Sequence, residues 1–129
     1  MAAKPQILLV DDDLGLQKIY GKRLEVGGYE VVAVFNGEEA LARVKENPPA
    51  LIILDVMLPK LNGYEVCTRL KQDPTTKQIP VIMFTAKGEP QQQLAGLMLG
   101  ANAYLSKSCE SEALLQQVKA LLPKASPQR

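Results

Sequence analysis

Residues 51–59 read Leu-Ile-Ile-Leu-Asp-Val-Met-Leu-Pro, so an apolar run leads directly into one carboxylate, Asp55, and ends before Pro59. A short, continuous apolar run is typical of a strand that is buried on both faces of a parallel sheet. Asp55 would then lie at the carboxyl end of this strand, the edge where open α/β sheets bind ligands. An isolated aspartate at that place more often caps the following turn. A functional role for Asp55 therefore depends on whether the other strands also end at polar residues.

Polar residues come directly after the other predicted strands as well. The strand at 7–10 leads into Asp11-Asp12-Asp13, the strand at 79–84 into Thr85-Ala86-Lys87, and the strand at Ala103–Ser106 into Lys107. One more strand is predicted at 29–35, where polar and apolar residues alternate before a short apolar stretch. Four of the five predicted strands, the central one included, thus end at a group that can bind an ion or a charged ligand.

Helical patterns separate the strands. The first helix is expected to begin after an N-cap at Asp13, and the second after Asn36, with Glu39 completing a capping box. Apolar spacing in the first helix predicts a buried stripe made of Leu16, Ile19, Tyr20 and Leu24. The fourth helix is expected to begin at Pro90 and to end at Gly100.

Alternation of five strands with five helices favours parallel βαβ units, whose right-handed crossovers bring all strand carboxyl ends to one edge. We therefore predict an α/β fold, a (βα)5 doubly wound parallel five-stranded sheet of the flavodoxin-like type, with strand order 2-1-3-4-5. A single domain is expected over residues 1–122, and residues 123–129 are expected to form a flexible C-terminal tail.

Composition excludes several classes of protein. The net charge of +1 with no basic block argues against nucleic-acid binding, and no apolar run is long enough to span a membrane. The start of the chain shows no secretory signal, which favours a cytoplasmic location. The sequence contains no histidine, so imidazole catalysis and a phosphohistidine carrier are excluded.

The strand order places Asp11 and Asp12 opposite Asp55, with Thr85 and Lys107 on the same edge of the sheet. Carboxylates without histidine or thiol ligands favour a hard cation such as Mg²⁺. Asp55 can attack a phosphoryl group, with Asp12 as metal ligand, Lys107 as counter-charge and Thr85 as donor. Because no strong general base remains, the aspartyl phosphate is expected to be long-lived, which suits a signal better than an enzyme that turns over.

This combination of residues resembles the receiver domain of bacterial response regulators, including the chemotaxis regulators, over almost the whole chain. The residues that carry the resemblance are Asp11-Asp12, Asp55 with Pro59 and Gly63, Thr85-Ala86, Tyr104 and Lys107. The resemblance implies phosphorylation of Asp55 by a histidine kinase or a phosphotransfer protein. It also implies that Mg²⁺, or Mn²⁺, is bound by Asp12, Asp55 and the main-chain carbonyl of Met57, with Asp11 acting through water.

The same resemblance implies further roles. The main chain of Ala86 is expected to contact the phosphoryl group, and Thr85 and Tyr104 to form a switch that changes a surface for protein partners. Met57 and Lys87 occupy the positions at which the family tunes the phosphoryl lifetime. The chain is expected to catalyse only its own phosphorylation and dephosphorylation.

Two residues after Lys107 depart from the family pattern. Ser108 replaces the usual proline, and Cys109 replaces an aromatic residue. A cis bond before a residue other than proline costs about 2.5–4 kcal/mol, so we expect a trans bond and a differently shaped loop.

Several interpretations remain open at the level of the sequence. The first is a stand-alone receiver that contacts an unknown target protein; a phosphorelay shuttle and a phosphorylation-independent binding module are the alternatives. A phosphatase is disfavoured because Met57 stands where its second carboxylate would be, and a flavodoxin-like cofactor binder because Asp11 to Asp13 would repel a phosphate. The glutamines at 91–93 suggest a monomer or a weak dimer.

Overall fold

The computed structural model describes residues 4–86, 95, 97–107 and 111–122. The strands are β1 (Gln6–Val10), β2 (Glu30–Val34), β3 (Leu51–Leu54), β4 (Val81–Thr85) and β5 (Ala103–Ser106). The helices described over their length are α1 (Leu14–Val26), α2 (Gly37–Glu46), α3 (Gly63–Gln72) and α4 (Ser111–Leu121). The fourth helix of the prediction, which begins at Pro90, carries no label here because it lies largely outside the described residues. Lys87, Ser108, Cys109 and the predicted tail at 123–129 also lie outside them.

All strand pairs are parallel, and the order across the sheet is β2-β1-β3-β4-β5. Val10, the last residue of β1, is aligned with Val34 of β2 and with Leu54 of β3. The carboxyl ends of the central strands are therefore level with one another. The predicted fold class and strand order are confirmed.

Two apolar layers cover the sheet, because successive strand residues point to opposite faces. Leu8 and Val10 of β1 lie on the face covered by α2 and α3, whereas Ile7 and Leu9 lie on the face covered by α1 and α4. Every residue of β3 is buried. This is the burial that its continuous apolar run predicts, and it holds the loop after Leu54 at the centre of the sheet edge.

Side chains at the helix N-termini fix the connections that leave this edge. The Asp13 carboxylate accepts a hydrogen bond from the Leu16 N–H at 3.1 Å, which confirms the predicted cap. Asn36 accepts from the Glu39 N–H at 2.9 Å, but the Glu39 carboxylate accepts from the N–H of Phe35 and not from that of Asn36. The reciprocal capping box expected there is instead found at the start of α3, between Asn62 and Glu65.

The predicted buried stripe of α1 is partly wrong. Ile19 is 52% exposed, whereas Gln17 is only 5% exposed. The inward face is made by Gln17, Gly21 and Leu24, and Tyr20 packs edge-on against Phe84 with ring centroids 4.9 Å apart. The prediction used only the spacing of apolar residues, so it could not identify an inward face that contains the amide of Gln17 and the glycine at position 21.

Among the described helices, none is long and apolar enough to cross a lipid bilayer.

Candidate functional site

Three carboxylates lie together at the carboxyl edge of the sheet. Asp11 follows β1 and Asp55 follows β3, and both residues are 4% exposed. Asp12 is exposed beside them. Each of the three offers a carboxylate oxygen, and these oxygens all lie within 4.8 Å of one another. The structure thus brings together the acidic residues that the strand order places on facing loops.

Lys107 bridges two of these carboxylates from the end of β5. Its Nζ lies 2.6 Å from Asp11 Oδ2 and 3.1 Å from Asp55 Oδ2. The main-chain N–H of Lys107 donates to the carbonyl of Thr85 at 2.8 Å, which extends the β4–β5 pairing by one bond. The sequence predicted Lys107 as the counter-charge for a phosphoryl group, and its short contact with Asp11 was not anticipated.

Burial and charge act against each other at this site. Burial raises the pKa of Asp11, although the hydrogen bonds from Lys107 and from the Asp13 N–H oppose the increase. Burial by itself would lower the pKa of Lys107, but the hydrogen bond to Asp11 and the charges of Asp55 and Asp11 outweigh it and raise this pKa. One ammonium thus pairs with two of three clustered carboxylates, and the remaining negative charge suits a divalent cation.

The loop after β3 holds the Asp55 carboxylate in one orientation. Asp55 Oδ1 accepts from the main-chain N–H of Met57 at 3.2 Å, while Oδ2 accepts from Lys107. The loop then turns back so that the Gly63 N–H donates to the Val56 carbonyl at 2.9 Å. A Cβ atom on Gly63 would overlap the Asp55 carbonyl oxygen and would lie 2.8 Å from Val56 Cα. Only glycine fits this approach of α3 to the site.

Thr85 and Tyr104 lie on neighbouring strands near this edge. Thr85 ends β4 and is fully buried, and the exposed Ala86 follows it. Tyr104 is half-buried on β5, and its hydroxyl lies 3.4 Å from that of Tyr64. Burial, and then the hydrogen bond with Tyr64, raise the pKa of Tyr104.

Gln17 is a residue near the site that sequence reasoning missed. Its side-chain Nε2 lies within hydrogen-bond distance of the main-chain carbonyl oxygens of Leu9, Asp11 and Val34, at 2.9, 3.1 and 2.8 Å, so its two N–H groups are shared among three acceptors. The available signal was positional, because residues 17, 21 and 24 share one face of a helix with 3.6 residues per turn.

A doubly wound parallel sheet with clustered carboxylates and a lysine at its carboxyl edge defines a class of signalling domains that are controlled at an aspartate. Residues 7–119 match the family model described as the response regulator receiver domain. The chain belongs to this family, whose members are signalling modules of two-component systems with a phosphorylatable aspartate. The resemblance drawn from the motif is confirmed.

Individual relatives agree with this assignment. The chain is 41% identical over 124 residues to the phosphate regulon transcriptional regulatory protein PhoB of Rhizobium meliloti (strain 1021), covering 96% of this chain and 55% of the relative. The chain spans about half the length of the curated relatives that it matches.

Solved structures are also similar. A response regulator from Chloroflexus aurantiacus J-10-fl superposes with a TM-score of 0.90 at 39% identity, covering 95% of this chain and 100% of the other. The Mn²⁺-bound form of the response regulator Rcp1 gives a TM-score of 0.78 at 30% identity, covering 92% and 91%.

Proposed function

We propose that this receiver domain accepts a phosphoryl group on Asp55 from a histidine kinase or a phosphotransfer protein and then signals through contact with another protein. The observation that carries the proposal is the position of the Asp55 carboxylate. It is buried at the switch point of the sheet, hydrogen-bonded through Oδ2 to Lys107 and through Oδ1 to the Met57 N–H. The exchange is expected to take place in the cytoplasm.

The transfer uses Asp55 as the nucleophile. One carboxylate oxygen forms a bond to phosphorus, while the bond between phosphorus and the donor breaks. The donor is the imidazole nitrogen of a phosphohistidine or the acetate oxygen of acetyl phosphate, and it leaves with the electron pair of the broken bond. Asp55 reacts as the carboxylate and needs no base to remove a proton.

Lys107 supports this step because its ammonium already lies within hydrogen-bond distance of Asp55. A fixed positive charge at this place stabilises negative charge on the phosphoryl oxygens without reorganising during the reaction. The hydroxyl of Thr85, the last residue of β4, and the main-chain N–H of Ala86, which follows it, are assigned as further donors to these oxygens.

The donor set also fits a divalent cation. The carboxylates of Asp12 and Asp55 and the main-chain carbonyl of Met57 would hold Mg²⁺, and Asp11 would act through a bound water; Mn²⁺ suits the same oxygen ligands. The neighbouring structure of Rcp1 is a Mn²⁺-bound form. When bound, the cation supplies positive charge that neutralises the phosphoryl oxygens.

Phosphorylation would change the surface around β5. Thr85 would move toward the phosphoryl group, and Tyr104 would leave the hydroxyl of Tyr64 and turn inward. Met57 and Lys87 would control the access of water and so the phosphoryl lifetime. With no histidine in the chain to serve as a strong base, the phosphorylated state should persist long enough to find a protein partner.

The relatives favour a second form of the same function, in which this domain is the receiver part of a transcription regulator. PhoB is named as a transcriptional regulatory protein, and the chain covers 55% of its length. Determining the reading frame beyond the codon for Arg129 distinguishes the two forms. A following effector domain would support the regulator, and a stop codon would support the stand-alone receiver.

The test of the proposal is the intact mass of the protein after incubation with acetyl phosphate and Mg²⁺. A single phosphate adduct is expected in the parent, and Asp55→Asn is expected to lose it. Asp13→Asn is the matched control, because this nearby aspartate only caps α1 and asparagine caps equally well. An adduct that persists in Asp55→Asn, or a parent that forms none from acetyl phosphate or a kinase, would contradict the proposal.

A further inference from the structure

Gln17 is a buried polar residue that the proposed chemistry does not use. It lies in the second turn of α1 and is 5% exposed, although most buried residues of this domain are apolar. Its Oε1 has no hydrogen-bond partner in the described part of the chain. Burying an amide in this way is unfavourable unless its remaining contacts are strong.

The donor end of the same amide lies within hydrogen-bond distance of three main-chain carbonyls, which share its two N–H groups. Nε2 lies 2.9 Å from Leu9 O, 3.1 Å from Asp11 O and 2.8 Å from Val34 O. The Val34 carbonyl also accepts from the main-chain N–H of Asp11 at 3.2 Å. Gln17 therefore connects the end of β1, the end of β2 and the first turns of α1 at a single point behind the acidic loop.

Asp11 is held at each of its polar groups. Its N–H donates to Val34 and its carbonyl accepts from Gln17. Its carboxylate accepts from the Asp13 N–H at 2.9 Å and from Lys107. Of these contacts, the one from Gln17 acts on the peptide group that joins Asp11 to Asp12.

Asp12 has no comparable support of its own. Within the residues that the structure describes, its carboxylate makes no hydrogen bond or ion pair, and its side chain is exposed. Its position relative to Asp11 and Asp55 therefore depends on the main chain, which is held before Asp12 by Gln17 and after Asp12 by the bond from the Asp13 N–H to Asp11. A displacement of this main chain would move the Asp12 carboxylate relative to those of Asp11 and Asp55, whose oxygens lie within 4.8 Å of it.

We infer that Gln17 is a positioning residue, which fixes the Asp11–Asp12 peptide group so that both carboxylates point into the cation site. This inference rests on the proposed function, because it concerns the same site. Groups that hydrogen-bond directly to metal ligands typically change metal affinity by about 10–100-fold when they are replaced, and Gln17, which acts through the main chain, is expected at the lower end of this range.

The experiment is a titration of the unphosphorylated protein with Mg²⁺ alone, followed by two-dimensional ¹H–¹⁵N NMR. Gln17→Met and Gln17→Leu remove the amide but keep most of its volume. The matched control is Thr76→Val, which removes another buried hydrogen bond, from Thr76 Oγ1 to Leu70 O at 2.7 Å, beyond the opposite end of α3 from the site. Thermal unfolding of all variants compares their losses of stability.

The Kd for Mg²⁺ is expected to rise about tenfold in the Gln17 variants and to stay within twofold of the parent in Thr76→Val. The inference is overturned if a folded Gln17 variant binds Mg²⁺ within twofold of the parent, or if Thr76→Val weakens binding equally. A parent that binds no Mg²⁺ would overturn the proposed cation site and this inference together, so the two failures are distinguishable.

Discussion

At the scale of single residues, the site depends on one ammonium shared by two buried carboxylates. Lys107 contacts both Asp11 and Asp55, and the buried side chains screen these contacts from water. Removing one partner of such a buried ion pair is destabilising, because it leaves the other charge buried without compensation. The arrangement orders Asp55 before any phosphoryl group arrives, and it leaves Asp12 without a counter-charge among the described residues.

Gly63 gives the first prediction at this scale. Gly63→Ala is expected to lower the free energy of unfolding by on the order of 1–3 kcal/mol, because a Cβ would overlap the Asp55 carbonyl and displace α3 or the loop. Chemical denaturation measures this loss. Phosphorylation of Asp55 should slow as well, since the displaced segment carries the reacting carboxylate.

The matched control is Gly21→Ala. A Cβ on Gly21 of α1 would come no closer than 3.9 Å to Val31 Cγ1 of β2, so alanine is expected to stabilise the protein by about 0.5–1 kcal/mol. Equal effects of the two substitutions would show that close approach to the Asp55 loop is not what requires glycine at position 63.

At the scale of elements, Lys71 ties α3 to the connections on either side of β4. Its ammonium donates to the carbonyls of Lys77 and Ile79 at 3.1 and 2.8 Å and to the Asn102 side chain at 3.2 Å. The stem of Lys71 packs against Gly100, which has a φ of +107°. One side chain thus holds both connections against the C-terminal end of α3.

The second prediction concerns the pH dependence of this tie. Burial lowers the pKa of Lys71, so between that pKa and its usual value of 10.5 the folded state binds fewer protons than the unfolded state. Stability from Lys71 must therefore increase as the pH rises through this window. Lys71→Met keeps the stem but cannot show the increase.

Urea denaturation at pH 8 and pH 10 measures the difference in stability between the parent and Lys71→Met. The free energy of unfolding of the parent minus that of Lys71→Met is expected to be more positive at pH 10 than at pH 8. Exposed Lys60, replaced by methionine, is the control, because its contact with Glu38 is long at 3.8 Å. If the free energy of unfolding of the parent falls relative to that of Lys71→Met between pH 8 and pH 10, the assignment of a lowered pKa to Lys71 is refuted.

The elements themselves were largely predictable from the sequence, and the reasons are physical. Leu51–Leu54 and Ala103–Ser106 have the predicted bounds because polar residues or proline interrupt each run. The inward face of α1 was not predictable from apolar residues, since Gln17 is buried by its hydrogen bonds and Ile19 is left exposed. Likewise, a glutamate three residues after a cap does not reveal which N–H it accepts from.

At the scale of the whole molecule, the topology explains why the site could be anticipated from separate segments. Parallel strands in the order β2-β1-β3-β4-β5 bring residues distant in sequence to one edge. Strand order and direction determine which residues meet, but they do not determine distances. The contact of 2.6 Å between Lys107 and Asp11, and the amide behind Asp11, depend on side-chain packing that no spacing rule describes.

The cation site should also couple to the stability of the entire domain. Three carboxylates near one ammonium repel one another in the folded state, so Mg²⁺ should bind the folded protein far better than the unfolded chain. At a concentration of one hundred times its Kd, such a ligand adds about 2.7 kcal/mol to the free energy of unfolding. Thermal unfolding with MgCl₂, compared with NaCl at equal ionic strength, measures the effect.

Asp12→Asn is expected to change stability in two opposite ways. Without Mg²⁺, the variant should have a higher free energy of unfolding than the parent, because one source of repulsion is gone. On addition of Mg²⁺, its free energy of unfolding should rise less than that of the parent, because one ligand is gone. Asp13→Asn should respond to Mg²⁺ as the parent does, since Asp13 caps α1 and lies outside the cluster of Asp11, Asp12 and Asp55. If Asp12→Asn instead keeps the full response to Mg²⁺, the cation binds elsewhere, and the acidic cluster destabilises the fold without serving as its ligand set.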